Sequence, residues 1–577
     1  MHMPRLKQVL VLLALAALVT AAAVYSAGRS GPSRLAAARV AAASSWRGLV
    51  GGPHPQVAIG QRVLVVLNTP SLADRVARAG GFATDAQERT WTAATFAAQQ
   101  QLISRLGQKG VRVKPEFRYT RVLNGFSAPL DAGAIALLEH DPGVRGVYPV
   151  RVAYPASVSR QVLSRGLVSR MPAATLAGFD GNGVTIALLD TGVQVDKPFL
   201  HGHVLDGIDV VDNGPDARIK ASPDGSGLLE AHGTEMAGLL VGADGPGGLA
   251  GAASGATVLP IRVAGWQRTA AGSWGVYSRT DQILAGLEDA VDPNGDGDAH
   301  DAARIALVPL AEPFAAFADG PAAQAIAGAL RLDLLVVVPA GNDGPAGSVF
   351  GSVSGPGGAP DALTVGAADT RRQEQAVRLV VRTGLSVLLD RVVPLAGAVS
   401  IGKTVDAAVA VAGRPGDAPA DYFGPDGRSL VAGRAALVEA DASPAAQAEA
   451  AARAGAAAVL LYGSPLPDGG LGLDEGVSVP VVAVPNETAL ALLDALRSGV
   501  GAEITLRAPR MRAHPGAGEI APFSSWGLAF NGQLKPEVSG PGVLLPTAEP
   551  GSNTDGTPRF GTVSGSKIGR ASCRERV

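Results

Sequence analysis

The chain has 577 residues, enough for three or four domains of about 150 residues each. Its 49 Lys and Arg against 51 Asp and Glu leave a formal net charge of −2, which excludes a bulk attraction to nucleic acid or acidic lipid, so no nucleic-acid partner is expected. A single cysteine, Cys573, excludes a disulfide framework.

Residues 1–31 read as an address. Arg5 and Lys7 precede an apolar run from Val9 to Tyr25, and small and polar residues follow through Ser30. The run is short of the ~20 residues that span a bilayer comfortably, so it predicts a cleaved export signal or, failing cleavage, an N-terminal anchor. Either places the protein outside the cytoplasm, secreted or at the cell surface, and makes that segment the one expected membrane contact.

Residues 32–56, rich in Ala, Ser, Gly and Pro, read as a linker. Residues 57–155 then give an apolar strand (RVLVVLNTP), a helix (TWTAATFAAQQQLISRLGQKG), strands in VRVKPEFRY and RVLNGFSAPL, a helix (DAGAIALLEHD) and a last strand in GVRGVYPVRVAYP. That order is the split βαβ, ferredoxin-like α+β arrangement. A second linker covers 156–182.

From Gly183 to 370 the pattern changes to apolar runs bounded by Gly and Asp: VTIALLD, ATVLPIRV, RIALVPL, LLVVVPAGN and ALTVGAAD. Runs without alternation, separated by helical stretches, predict an α/β unit with a doubly wound, mostly parallel sheet. Residues 371–510 interrupt it with short strands (AVAVAG, RAALVEA, AAVLLYG, VPVVAV) and two helical patterns, which read as a small inserted domain. The sheet unit resumes over 511–566, at APFSSWG.

Three places carry chemistry. Asp190 ends the strand IALLD before a Thr-Gly turn, at the carboxyl end where reactive groups collect in open parallel sheets; taken alone it is equally a turn or helix-capping Asp. His232, in EAHGTEMAGLLVG, stands at the start of an apolar helix, and of the eight histidines it alone joins a buried setting to a Gly neighbour. Asn342, in VVVPAGNDGP, stands just past an apolar strand, where its amide can donate to developing negative charge or simply occupy a Gly turn.

Asp, then His, then a late serine is one of the known chain orders for an orienting carboxylate, a base and a nucleophile. With LLDTGV, HGTEMAG, GAASGATVLPIRV, PAGNDG, APDALTVGAAD, FSSWG and LKPEVSGPG in sequence, the stretch from Gly183 to Ser566 resembles the subtilisin-like (subtilase) serine proteases. The resemblance implies a peptidase acting on protein or peptide substrates. Asp190 would orient the imidazole, His232 act as base and then acid, and Asn342 supply the oxyanion donor. It also implies that 57–155 is an inhibitor-type propeptide acting on its own protease, and that 371–510 is a protease-associated domain.

The nucleophile is expected in the pattern Ser-Gly-Thr-Ser. Ser564-Gly565-Ser566 fills three places, and Lys567 stands where the serine should be. KIGRASCRERV departs from the body in composition and resembles a translated sequencing adapter, so 567–577 is expected to be an artefact and the nucleophile lost there. Two alternatives are Ser566 in a shifted register, and a natural non-catalytic chain with Lys567. The chain as given is then expected to be inactive.

Two departures bear on the cleft. Pro309, in RIALVPLAEP, lacks a backbone donor where an extended peptide would pair. Asp292, Asn294, Asp296 and Asp298 place oxygen ligands at alternate positions, as in half of a calcium loop, without an acidic residue at the twelfth position. No cofactor is required; calcium is the candidate. The rival to a secreted endopeptidase is a non-catalytic exported binding protein on the same scaffold. Neither G-x-S-x-G nor G-x-G-x-x-G after a strand occurs, which disfavours α/β-hydrolase and dinucleotide chemistry.

Overall fold

The computed structural model describes residues 54–157, 159–162, 179–344, 351–396, 403–411, 416, 418–440, 444–463 and 479–566. The address at 1–31, most of both linkers and the tail 567–577 lie outside the described residues.

Strands β1 (Arg62–Leu67), β2 (Phe117–Tyr119), β3 (Gly125–Pro129) and β4 (Val144–Pro149) form an antiparallel sheet in the order β2-β3-β1-β4, with helices α1 (Leu72–Arg78), α2 (Asp85–Gln108) and α3 (Ala132–Glu139) in the connections. Reciprocal capping boxes, Ser71 with Asp74 and Thr84 with Gln87, satisfy the free amides that start α1 and α2. The run RVLVVL does not alternate because the sheet is covered on both faces. Val63, Val65 and Leu67 pack with Leu102, Leu106 and Leu138 of the unit's own helices, whereas Leu64 joins a core shared with Ile283, Leu287 and Ile326 of the following unit.

Next come β5 (Val152–Pro155) and β6 (Ser159–Val162), then the main sheet. Its strands are β7 (Thr185–Asp190), β8 (Ile208–Asp209), β9 (Thr257–Arg262), β12 (Ile305–Leu307), β14 (Leu335–Pro339) and β15 (Leu363–Asp369), between which lie the hairpin β10 (Ala264–Arg268) and β11 (Trp274–Arg279) and the short β13 (Leu310–Ala311). The order β15-β14-β12-β7-β9-β8 is parallel throughout. Helices α5 (Thr280–Val291) and α6 (Pro321–Arg331) cover one face and α4 (His232–Val241) the other, so the doubly wound expectation holds.

The insertion opens with a long hairpin, β16 (Gln373–Thr383) and β17 (Ser386–Ala396), absent from the sequence reading. With β18 (Val405–Val411), β19 (Ala435–Glu439), β20 (Ala458–Tyr462), β21 (Val481–Ala483), β22 (Ala502–Leu506) and β23 (Arg510–Ala513) it forms one eight-stranded sheet, carrying helices α7 (Pro444–Arg453) and α8 (Asn486–Arg497). The chain re-enters the main sheet through β24 (Glu519–Ile520). A short pair follows, β25 (Gly527–Leu528) and β26 (Leu534–Lys535), then β27 (Val538–Pro541) beside β15, and finally the pair β28 (Leu545–Ser552) and β29 (Pro558–Ser564). Among the described residues no helix is long and apolar enough to cross a membrane.

Candidate active site

The carboxyl end of β7 sets the first group. Asp190 is 1% exposed and its Oδ1 accepts the Thr191 amide at 2.7 Å. The Thr-Gly turn then lets α4 begin against it: Gly192 has φ 83°, and a Cβ on Gly233 would lie 2.1 Å from the Gly192 carbonyl oxygen. Only glycine at 233 permits that approach, and the Gly233 amide donates to Thr191 Oγ1 at 2.9 Å. These contacts bring His232 Nδ1 to 2.7 Å from both Asp190 carboxylate oxygens. With Nδ1–H on the carboxylate, Nε2 keeps its lone pair, and Nε2 is buried with no hydrogen-bond partner among the described residues.

Beyond β14, Gly341 turns with φ 107° and presents Asn342. Both ends of that amide are engaged. Nδ2 donates to the Ala156 carbonyl at 2.9 Å, and Oδ1 accepts the Ser566 amide at 2.8 Å. Ser525, of the FSSWG motif, backs the same loop: its amide donates to Gly341 O at 3.0 Å and its hydroxyl accepts from Asp343 N at 2.9 Å. Burial pushes the neighbouring Asp343 carboxyl up to about 6.

Ser566 is fully buried and its Oγ accepts the Gly341 amide at 3.1 Å. The structure therefore brings Ser566 to Asn342 and gives it no hydrogen bond to His232. Position 567 lies outside the described residues.

An extended strand leads to this point. β5 lies between β11 and β13, pairing Ala153 with Ser278 and Tyr154 with Ala311. Ala156 then donates its amide to Pro309 O at 3.0 Å before offering its carbonyl to Asn342. Pro309 thus lacks a donor but offers its carbonyl as the acceptor that this strand of the chain itself uses. On the far side of Ala156, β6 pairs with β29, Ser159 opposite Ser564. Sequence reasoning missed Ala156, because nothing local marks a residue whose partner is 186 positions away.

The half calcium loop is engaged from the N-terminal unit. Arg121 Nε donates to Asp292 Oδ2 at 2.6 Å, and Arg89 Nη2 donates to Asp296 at 2.8 Å and Asp298 at 2.7 Å. Asn294, exposed, bonds within the loop, its Oδ1 accepting from Asp296 N at 2.8 Å. A cation held by these four residues would have to displace both guanidinium groups. Next to the loop, Glu288 of α5 accepts the amides of Thr120, Arg121 and Val122 at 2.6, 3.0 and 2.7 Å; burial raises its pKa despite Arg121.

Residues 181–566 match the family model described as the subtilase family, peptidase S8. The minor extracellular protease Vpr of Bacillus subtilis is 27% identical over 470 residues, 78% of this chain and 53% of its own length. Subtilisin E of the same species is 26% identical over 287 residues, 50% of this chain and 65% of its own length. The chain thus spans between about half and two-thirds of the curated relatives it matches. Among solved structures, fervidolysin from Fervidobacterium pennivorans, titled a keratinolytic enzyme related to subtilisin, is 16% identical with a TM-score of 0.35, covering 56% of this chain and 46% of that one.

Proposed function

The chain belongs to the subtilase family, and on that premise we propose that it is the precursor of an exported serine endopeptidase in which Asp190 and His232 are the carboxylate and the base. His232 Nε2, buried and without a hydrogen-bond partner among the described residues, beside a 2.7 Å contact to Asp190, carries this reading, because a base needs a free lone pair facing the hydroxyl it deprotonates. Asn342 is the oxyanion donor, a role worth about 3 kcal/mol in acyl transfer. Its hold on the Ala156 carbonyl supports that role, since a bound peptide would place its reacting carbonyl there.

Lys567 stands at the nucleophile's place, and an ammonium offers no hydroxyl for an acyl-enzyme, so this chain is inactive as given. Residues 57–155 act as the intramolecular inhibitor: the strand they end in, with Ala156 just beyond, occupies the peptide groove, and Glu288 and Asp292 anchor the domain that carries it. Substrates are proteins or extended peptides entering as that strand does. The insertion adds no chemistry of its own and affects access or docking. Export is inferred from the order of charge and apolar residues in 1–31, in keeping with the extracellular protease Vpr as a relative.

Casein hydrolysis tests the assignment. The unaltered chain should show none, Lys567→Ser should show some, and adding His232→Ala should abolish it. Equal hydrolysis with and without His232 removes the base, and hydrolysis by the unaltered chain removes the claim of inactivity. A non-catalytic exported binding protein on the same scaffold is the competing reading, favoured by the contacts of Ser566 with Gly341 and Asn342 and its lack of a bond to His232.

A further inference from the structure

The strand in the groove is covered from outside by a segment that precedes the N-terminal sheet. The imidazole of His54 stacks flat on the Tyr154 ring, with centroids 4.2 Å apart and planes 7° from parallel. The Tyr154 hydroxyl donates to Pro55 O at 2.8 Å. Gln56 O accepts the amide of Ala270, in the turn joining β10 to β11, at 2.8 Å. Pro55 rests on Gly275 of β11, where an added Cβ would come within 3.0 Å of its Cγ. Three successive residues therefore cross the groove, tied to its outer hairpin and stacked on the strand inside it. The chain then runs to Ile59, which packs against the shared core and whose carbonyl accepts Arg62 Nη1 at 2.8 Å.

We propose that residues 54–56 are a strap that locks the strand 152–156 into the peptide groove. The inhibitory unit then begins ahead of β1, in what the sequence reads as linker, and Tyr154 is its lock. Edge pairing with β11 and β13 holds the backbone of β5 but leaves one face of the Tyr154 ring to be covered. The strap covers that face and uses the hydroxyl, so the strand cannot lift out until 54–56 has moved. The inference rests on the reading that 152–156 fills the substrate groove.

Hydrogen exchange on the full chain tests both and separates them. The Ala156 amide, bonded to Pro309 O, reports on the strand, and the Val65 amide, within β1, reports on the integrity of the N-terminal sheet. In His54→Ala combined with Tyr154→Phe, the stack and the hydroxyl bond are both lost, and Ala156 protection is expected to fall about tenfold while Val65 is unchanged. Gly275→Ala, which displaces Pro55 without touching the strand, should move Ala156 the same way, and it decides the matter should the first variant also loosen Val65. Ala156 protection equal to that of the parent in Gly275→Ala and in the double variant overturns the strap and leaves the groove reading intact. An Ala156 amide unprotected in the parent overturns the groove reading, and the strap with it.

Discussion

Asn342 donates its side-chain amide to the Ala156 main-chain oxygen at 2.9 Å, so the amide proposed as the oxyanion donor already holds a carbonyl of the chain itself. The same side chain accepts the Ser566 amide at 2.8 Å, which fixes its orientation without any hydroxyl. Asn342→Ala should therefore release both ends. In the chain carrying Lys567→Ser, kcat is expected to fall about 10²–10³-fold. An unchanged kcat would remove Asn342 from the site.

Gly233→Ala sets a Cβ 2.1 Å from the Gly192 carbonyl oxygen, where both partners are backbone. Neither can rotate away. Helix α4 must shift, pulling His232 from Asp190, at a cost to stability of about 2–3 kcal/mol, read from the urea midpoint. A midpoint within error of the parent would show that the turn yields more easily than this contact implies.

Glu288 gathers three amides of the segment 120–122 under the N-terminal sheet. Glu288→Ala strands them in a buried site, and each costs about 1–3 kcal/mol when left unpaired. Urea unfolding should move by about 3 kcal/mol or more, with exchange at Thr120 and Val122 rising first. A loss below about 1 kcal/mol would mean that other acceptors replace the carboxylate.

Asp289, next along α5, has its carboxyl pushed up to about 7 by burial, with the charges of Glu288 and Asp292 adding to the rise and Arg121 opposing it. An unfolded aspartate titrates near 4. The fold thus favours the neutral acid: the stabilisation is complete below about pH 4 and is lost as pH rises through about 7. Asp289→Asn keeps the neutral shape at every pH. The variant is expected to gain on the parent in urea midpoint steadily from pH 4 to 7, and a gap that stays constant across that window would contradict the shifted titration.

Much of this site was legible in the sequence because its pieces are local. The DTG turn and the HG pair each announce a tight backbone, and the close approach of Gly233 to Gly192 shows why both need glycine. The apolar runs at 185–190 and 335–339 marked a sheet covered on both faces, and RVLVVL carried the same mark for β1. What escaped was long-range. The acidic loop 292–298 reads as a cation site because its own spacing is all that the sequence displays, whereas its guanidinium partners, Arg89 and Arg121, come from another unit. The hairpin β16–β17 was missed although Gly384, at φ 55°, marks its turn, because charged residues break the apolar pattern along both strands. The groove strand was hidden for a simpler reason. Its identity depends on which edges it meets, and the edges that VAYPA meets, β11 and β13, come from far along the chain.

Because β5 belongs to the same polypeptide as β11 and β13, its pairing between them does not depend on protein concentration. A tethered segment of this kind competes at an effective concentration on the order of millimolar. A free peptide whose affinity matched that of the strand would have to be present at comparable levels before it gained entry. Diluting the protein will not release β5; severing the connection between 156 and 179 removes one tether and leaves the strand held only by its own edge pairing and by the contacts of the N-terminal unit with Glu288 and Asp292.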